Sequence, residues 1–504
     1  MDAAGTAATS LPLAGGGRAT AAAAAPALPC RAQALLALLV FAACLAPAAI
    51  NGLPLVFPDT EGYLRSAQIF RPQHVRAFGY GAFLRLTGGL WSLWLPALAQ
   101  AALAAWLATR AIALEAPRWP ARWRAPAALA LVAVLALGHL PWLASWIQAD
   151  LFTGLLLLAL WLLAEHWSAL GRVERPLVLL AALGAATMHL THPPLLAGLG
   201  LFALAVLLAH RLRTGTGAAP APMRRAALLA VALAGLGWGL LAVANWITYH
   251  RPTGSLGGSV FLFARLQADG DAAAALRPGC EAGRPWAVCP HLDRLGLPAD
   301  EFLWRSWSPL PQMGHVSGFM AEAAALNPIL LRQDWSAWLA NSARRALRQL
   351  ASVELGNGMD EEGSWFLVRD LPRAGLGHIA EAADAARQAM DGMRPLMPRL
   401  AAEGLAVAGL AGLAGLLVLG LARRRPWLWG PALLLLAAWF SNAAIIALGG
   451  EVHGRYSARI VWLAPFLGGL LALRAAAARR PAGRPDRWRG REPPPRNPRR
   501  APLH

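Results

Sequence analysis

The stretch that decides the fold is ALLALLVFAACLAPAAI, residues Ala34–Ile50, an uninterrupted apolar run without a single charge. A helix of about 20 such residues covers the roughly 30 Å hydrocarbon core of a bilayer. Comparable runs recur along the chain and place spanning helices at 34–51, 91–113, 125–147, 151–166, 176–189, 193–210, 225–248, 401–422, 427–448 and 458–475. The expectation is an all-α polytopic membrane protein of about ten transmembrane helices; a β-barrel would instead show alternating segments of about ten residues. Composition agrees: 57% of residues are hydrophobic and 14% charged, against about 25% charged in a soluble globule. The first run exceeds the 7–15 residues of a signal-peptide core, so it reads as a retained helix.

The formal charge of +19 comes from 46 basic residues, all arginine, and their placement argues for topology and against nucleic acid as a partner. Arg110, Arg118, Arg122 and Arg124 fall in the second connection, Arg172 and Arg175 in the fourth, Arg211, Arg213, Arg224 and Arg225 in the sixth, and Arg423, Arg424 and Arg425 in the eighth. Basic residues in short loops mark the cytoplasmic side. The even connections and both termini are therefore expected in the cytoplasm, in a multi-pass protein of the bacterial inner membrane. The odd connections, with most of the unusual polar residues, then face outwards.

These runs divide the chain into a disordered lead-in (1–33), an N-terminal transmembrane module (34–249) with its first outer loop at 52–90, an extracytoplasmic loop region (250–400), C-terminal transmembrane helices (401–476) and a disordered Arg/Pro-rich tail (477–504). The loop region as a whole reads as having no obvious core: Leu331–Val353 is amphipathic, Ile379–Leu400 reads as a helix leading into the membrane, and Gly254–Pro311 reads as irregular cover over the membrane helices. Cys280 and Cys289 share this region, and an oxidising compartment would allow them to form a disulfide.

Candidate chemistry gathers in three outer segments. Phe57-Pro58-Asp59-Thr60-Glu61-Gly62-Tyr63-Leu64 sets two carboxylates two residues apart, with Tyr63 close behind. Such a pair suits a divalent cation, Mg²⁺ or Mn²⁺, or a general base whose pKa is raised at the lipid interface; the plain alternative is that Asp59 caps a helix beginning at Thr60. Glu451-Val452-His453-Gly454-Arg455-Tyr456-Ser457-Ala458-Arg459 offers two guanidiniums, Arg455 and Arg459, suited to phosphate oxygens, with His453 and Tyr456 beside them. The alternative there is headgroup anchoring. His189-Leu190-Thr191-His192 suits hydrogen bonding or a substrate phosphate better than zinc, for which further ligands are lacking. Asp150, near Trp142 and Trp146, can contact a sugar, although an interfacial tryptophan belt explains the rings equally well.

An apolar first helix, the Pro58-Asp59-Thr60-Glu61-Gly62-Tyr63 loop, Arg76-Ala77-Phe78-Gly79-Tyr80-Gly81 before the second helix, a long outer loop after the seventh, and an Arg-Tyr motif before the last together resemble the GT-C superfamily of integral-membrane glycosyltransferases. The protein mannosyltransferases and the aminoarabinose transferases of lipid A belong to it. The resemblance implies a GT-C-like fold and sugar transfer, on the outer face, from a polyprenyl-phosphate donor to a glycan, lipid or protein acceptor. It implies Asp59 as the catalytic carboxylate, with Glu61 a second candidate, and Tyr63, Arg76, Asp150, His189, His192, His453, Arg455, Tyr456 and Arg459 toward substrate. Some families have adjacent acids, whereas Thr60 separates them here, so base and metal-ligand roles stay unassigned. Two other classes compete: a secondary transporter, which would carry ionisable groups near the midplane and an internal repeat, and a non-catalytic partner in cell-envelope polysaccharide assembly.

Overall fold

A computed structural model describes residues 28–214, 220–356, 359 and 362–478. The described residues are helical throughout, with no strands beyond two isolated bridges. Helices run in chain order as α1 (Cys30–Asn51), α2 (Pro58–Ile69), α3 (Phe78–Leu86), α4 (Trp94–Glu115), α5 (Ala121–Leu137), α6 (Leu140–Ala144), α7 (Leu151–His166), α8 (Glu174–Met188), α9 (His192–Thr214) and α10 (Ala221–Tyr249). The region expected to lie outside, here called the outer region, holds α11 (Gly258–Asp269), α12 (Ala272–Glu281), α13 (Ala299–Trp304), α14 (His315–Ala351), α15 (Glu362–Asp370), α16 (Gly377–Asp384) and α17 (Arg387–Met390). The chain closes with α18 (Arg399–Ala422), α19 (Pro426–Gly449), α20 (Gly454–Val461) and α21 (Leu463–Ala478).

Seven helical segments are long and apolar enough to cross a bilayer: α1, α4 with the turn after it, α9, α10, α18, α19, and α20 continued by α21. The chain is thus a multi-pass membrane protein. The expected spans at 125–147, 151–166 and 176–189 are shorter helices, α5, α7 and α8. The first was read too long because the apolar run continues through Gly138, where the backbone (φ −86°, ψ −160°) leaves the helix and turns into α6. Nearly every residue of α7 is buried, so its all-round apolar surface marks the centre of the bundle.

The arginines of the even connections meet at one end of this bundle. Arg110 pairs with Glu174 at 2.7 Å, the Arg225 Nε donates to the Ala164 carbonyl, and Arg474 reaches Glu165 and stacks on Trp427. The opposite end carries α2, α3 and the outer region.

That outer region has a core of its own, contrary to the expectation for the loop region. Val260, Phe263, Phe302, Phe319 and Leu326 pack α11, α13 and α14 together, and Phe263 meets Phe319 edge-on at 4.9 Å. Short helices separated by Gly and Pro hid this periodicity in the sequence. Cys280 and Cys289 are disulfide-bonded, closing α12 onto the turn that follows. The Leu331–Val353 segment is the second half of a longer helix, α14, which departs from helical geometry at Asp334 and exposes Trp335, Leu339 and Leu347. The expected helix at 379–400 is broken into α16, α17 and a short turn; Pro395 lies in that turn and Pro398 immediately precedes α18. At the N-terminus α1 already begins at Cys30, within the expected lead-in, and α21 extends to Ala478, past Arg474; residues 1–27 and 479–504, where most of the expected disorder falls, lie outside the described residues.

Candidate active site

The first outer loop is fixed before it reaches its carboxylate. Gly52, in the left-handed region (φ 85°), closes α1 as glycine does readily. Leu55 then hydrogen-bonds along Ser145–Ile147, and the Val56 amide and carbonyl are both held by the Gln388 side chain. Pro58 opens α2. The Phe57 N–H donates to Thr60 Oγ1 at 2.9 Å, and that hydroxyl donates to the Ile147 carbonyl at 3.0 Å. Thr60 therefore does the capping that the sequence allowed for Asp59. The helix starts at Pro58 rather than Thr60, and the Asp59 carboxylate is free of the backbone.

It turns instead to two guanidiniums. Asp59 Oδ1 accepts a close hydrogen bond from Arg76, which follows α2, and Asp59 Oδ2 lies 3.5 Å from Arg455 Nη1 at the start of α20. Residues 396 apart in sequence thus share one ion pair. Arg455 stacks on Phe57 and Tyr456 and hydrogen-bonds the Tyr456 hydroxyl at 2.9 Å; its Nη1 is also 3.9 Å from Asp150 Oδ2. Arg76 stands over Trp304. One turn along α20, Arg459 is fully buried, bonded to Asp150 (3.2 Å), Thr191 (3.1 Å) and Asn442 (3.1 Å from Nε).

Two carboxylates, Asp59 and Asp150, face three guanidiniums, Arg76, Arg455 and Arg459, so the cluster carries one net positive charge. Its members differ in access. The Asp59, Arg76 and Arg455 side chains keep 19%, 15% and 10% exposure, whereas Asp150 and Arg459 keep 2% and 0%. The first three can meet a ligand and the last two hold them in place. Burial alone would raise the Asp59 pKa, but the Arg76 and Arg455 charges outweigh it and hold the carboxyl below its usual range. The raised pKa expected for a general base is absent in this arrangement. Burial, reinforced by Arg459, keeps His189 well below its usual pKa and hence neutral. Gln148, buried beside Asp59, has an amide nitrogen without a hydrogen-bond partner, yet it lies near enough to help keep the carboxyl ionised. The Nε groups of Arg76 and Arg455 are likewise unpartnered.

Other sequence candidates part from this cluster. Glu61 turns away from Asp59 and pairs with Arg65 at 3.1 Å. Two positions along a helix are about 200° of rotation, which is why the carboxylates diverge. A carboxylate already engaged by two guanidiniums is a poor cation ligand, and among the described residues no three His, Cys, Asp or Glu side chains group to hold a metal. The expected Mg²⁺ or Mn²⁺ does not fit these residues as they stand. His192 donates from Nδ1 to the Ala185 carbonyl and accepts at Nε2 from Thr153, so both ring nitrogens serve to join α7, α8 and α9. His189 accepts from Thr191, which presents its hydroxyl to Arg459. His453 bonds Asp300 in the outer region, and Tyr63 packs edge-on against Tyr80 with the charges of Asp59 and Arg76 close by.

Sequence reading missed Gln148, Thr191 and Asn442. Asn442 did carry a signal, as a lone amide inside an otherwise apolar span.

No protein-family model, no curated protein and no solved structure matches this chain.

Proposed function

We propose that the chain is a membrane glycosyltransferase of GT-C type that moves a sugar from a polyprenyl-phosphate donor to an acceptor hydroxyl or amine. The observation that carries the reading is a partly accessible carboxylate, Asp59, bracketed by Arg76 and Arg455 in a net-positive cluster at one end of an apolar bundle. An anionic phosphate linked to a lipid fits those guanidiniums, which pair naturally with its oxygens. The acceptor O–H or N–H attacks the anomeric carbon, the bond from that carbon to the phosphate oxygen breaks, and the lipid phosphate leaves with the electron pair. Arg455 and Arg76 stabilise the charge building on it. The acceptor's proton goes to Asp59.

Resting Asp59 is a weak base because of its two cations. Phosphate oxygens competing for Arg455 and Arg76 weaken that hold, so the carboxylate gains basicity once the donor is bound. Arg459 and Asp150 act as positioning residues. We place this end of the bundle outside a bacterial inner membrane, with both termini cytoplasmic, on the support of the arginine-rich opposite end and of the Cys280–Cys289 bond, which suits an oxidising compartment.

The test is a transfer assay with a labelled polyprenyl-phosphate sugar and the full chain in lipid nanodiscs. Asp59→Asn is expected to lose about 10²- to 10⁴-fold in turnover, the usual scale of a general base, while donor binding persists. Glu61→Gln is expected to transfer normally. Turnover by Asp59→Asn at the unmodified rate would refute the mechanism.

A further inference from the structure

At the end of the bundle remote from Asp59, α7, α9, α10 and α19 line a narrow cavity that is partly open to its surroundings. Asp150 immediately precedes α7, and Glu165, on the cavity wall, lies fifteen residues further, or about 22 Å at 1.5 Å per residue. The walls are almost wholly apolar, with Leu157, Leu160, Leu199, Ala226, Leu435 and Ala438 facing the space. Water gains little in such a place, and hydrocarbon from the surrounding bilayer is the material that fits it.

Three polar features sit on this wall or at its edge. Arg225, between the wall residues Pro222 and Ala226, is anchored through Nε to the carbonyl of Ala164, itself a wall residue, at 2.9 Å. Its terminal nitrogens make no further hydrogen bond among the described residues, so the guanidinium is fixed in position with donors to spare. Trp161, a wall residue only 6% exposed, has an indole N–H with no partner. A buried donor left unmatched is destabilising, so an acceptor oxygen placed there is favoured. Glu165 brings a negative charge, but Arg474 answers it at 3.4 Å, so Arg225 is not neutralised from that side.

We infer that this cavity is a binding site for an anionic phospholipid: the phosphate on Arg225, a glycerol ester oxygen on the Trp161 N–H, and an acyl chain along Leu157, Leu160, Leu199 and Leu435. Charge complementarity selects this occupant. A neutral lipid leaves the anchored guanidinium without a counter-ion, and a free phosphate leaves the apolar wall empty. Basic pockets between transmembrane helices take such headgroups. The site also has a route to the other end of the bundle: α7 follows Asp150, α9 follows Thr191 and α19 holds Asn442, the partners of Arg459. A lipid wedged among these helices braces the cage around Arg459.

The test uses the full chain in mild detergent, measuring lipids retained in native mass spectra after exposure to phosphatidylglycerol or phosphatidylcholine. The unmodified chain is expected to retain one phosphatidylglycerol in preference to phosphatidylcholine by about fivefold, the factor one guanidinium near a phosphate supplies. Arg225→Gln should abolish the preference, Arg225→Lys should restore most of it, and Ala226→Trp, which fills the cavity, should remove retention of both lipids. Should Ala226→Trp fail to fold, the Arg225 pair still decides. Equal retention of the two lipids by the unmodified chain, or an unchanged preference in Arg225→Gln, would overturn the proposal. Neither result bears on sugar transfer, which is assayed separately with Asp59 variants.

Discussion

Asp59 shows how one side chain's role is set by what its neighbours have already taken. Thr60, the third residue of α2, takes up the Phe57 N–H at the helix start, and this leaves the Asp59 carboxylate to Arg76 and Arg455. Because its pKa is lowered, the ion pair contributes stability that is present above the unfolded carboxyl's ~3.9 and is lost as pH falls through the lower folded value. The same sign applies to the proposed sugar transfer. The acid limb of kcat/KM, which reports the free enzyme, is expected below the ordinary carboxylate range, and Arg76→Gln should shift it upward. In the unmodified protein the acid limb of kcat, which reports the donor complex, should lie above that of kcat/KM. Coincident limbs in a pH–rate series would show that the phosphate does not loosen the Asp59 clamp. Asp150 belongs to the interior instead: Asp150→Ala leaves Arg459 buried without its counter-ion, a loss of about 3–5 kcal/mol, visible as a large drop in the thermal unfolding midpoint in detergent.

The elements that matter most are short. The chain supplies α2, α3 and α20 as caps on longer helices, and their positions depend on close backbone approach. Gly79, in α3, faces the Thr187 side chain and carbonyl in α8, where even a methyl group would collide with backbone. Gly79→Ala is expected to push α3 from α8 and cost about 1–3 kcal/mol, the usual range for overpacking, which a thermal-shift measurement would register. Because Thr187 leads directly to His189 and Thr191, the change should also loosen the contact of Thr191 with Arg459. Helix ends of this kind were hard to read from sequence. Periodicity marks the body of a helix, whereas Gly79 acts through a close approach to Thr187, far along the chain.

Across the whole molecule, the two ends of the bundle differ in kind: one gathers arginines in connecting turns, the other holds Asp59, Arg76 and the disulfide-bonded outer region. Cysteines introduced as Arg284→Cys and Arg373→Cys are expected to react with a membrane-impermeant reagent added outside intact cells, and Arg122→Cys and Arg424→Cys only after the membrane is opened. The reverse pattern would put Asp59 on the cytoplasmic face and remove the basis for an extracytoplasmic donor.

Composition and pattern alone make the chain helical and membrane-embedded, because uncharged runs near the length of a bilayer have few other stable outcomes. They also mark Asp59, Arg455 and Arg459 as unusual, since charge is costly beside hydrocarbon. Which charges meet is settled by packing. That Asp59 pairs with Arg455 and not with Glu61, that Arg459 is sealed while Arg455 stays accessible, and that His192 is spent on holding helices together all follow from long-range packing. Local pattern carries period and polarity, but the partner of a side chain hundreds of residues away is fixed only when the helices between them have packed.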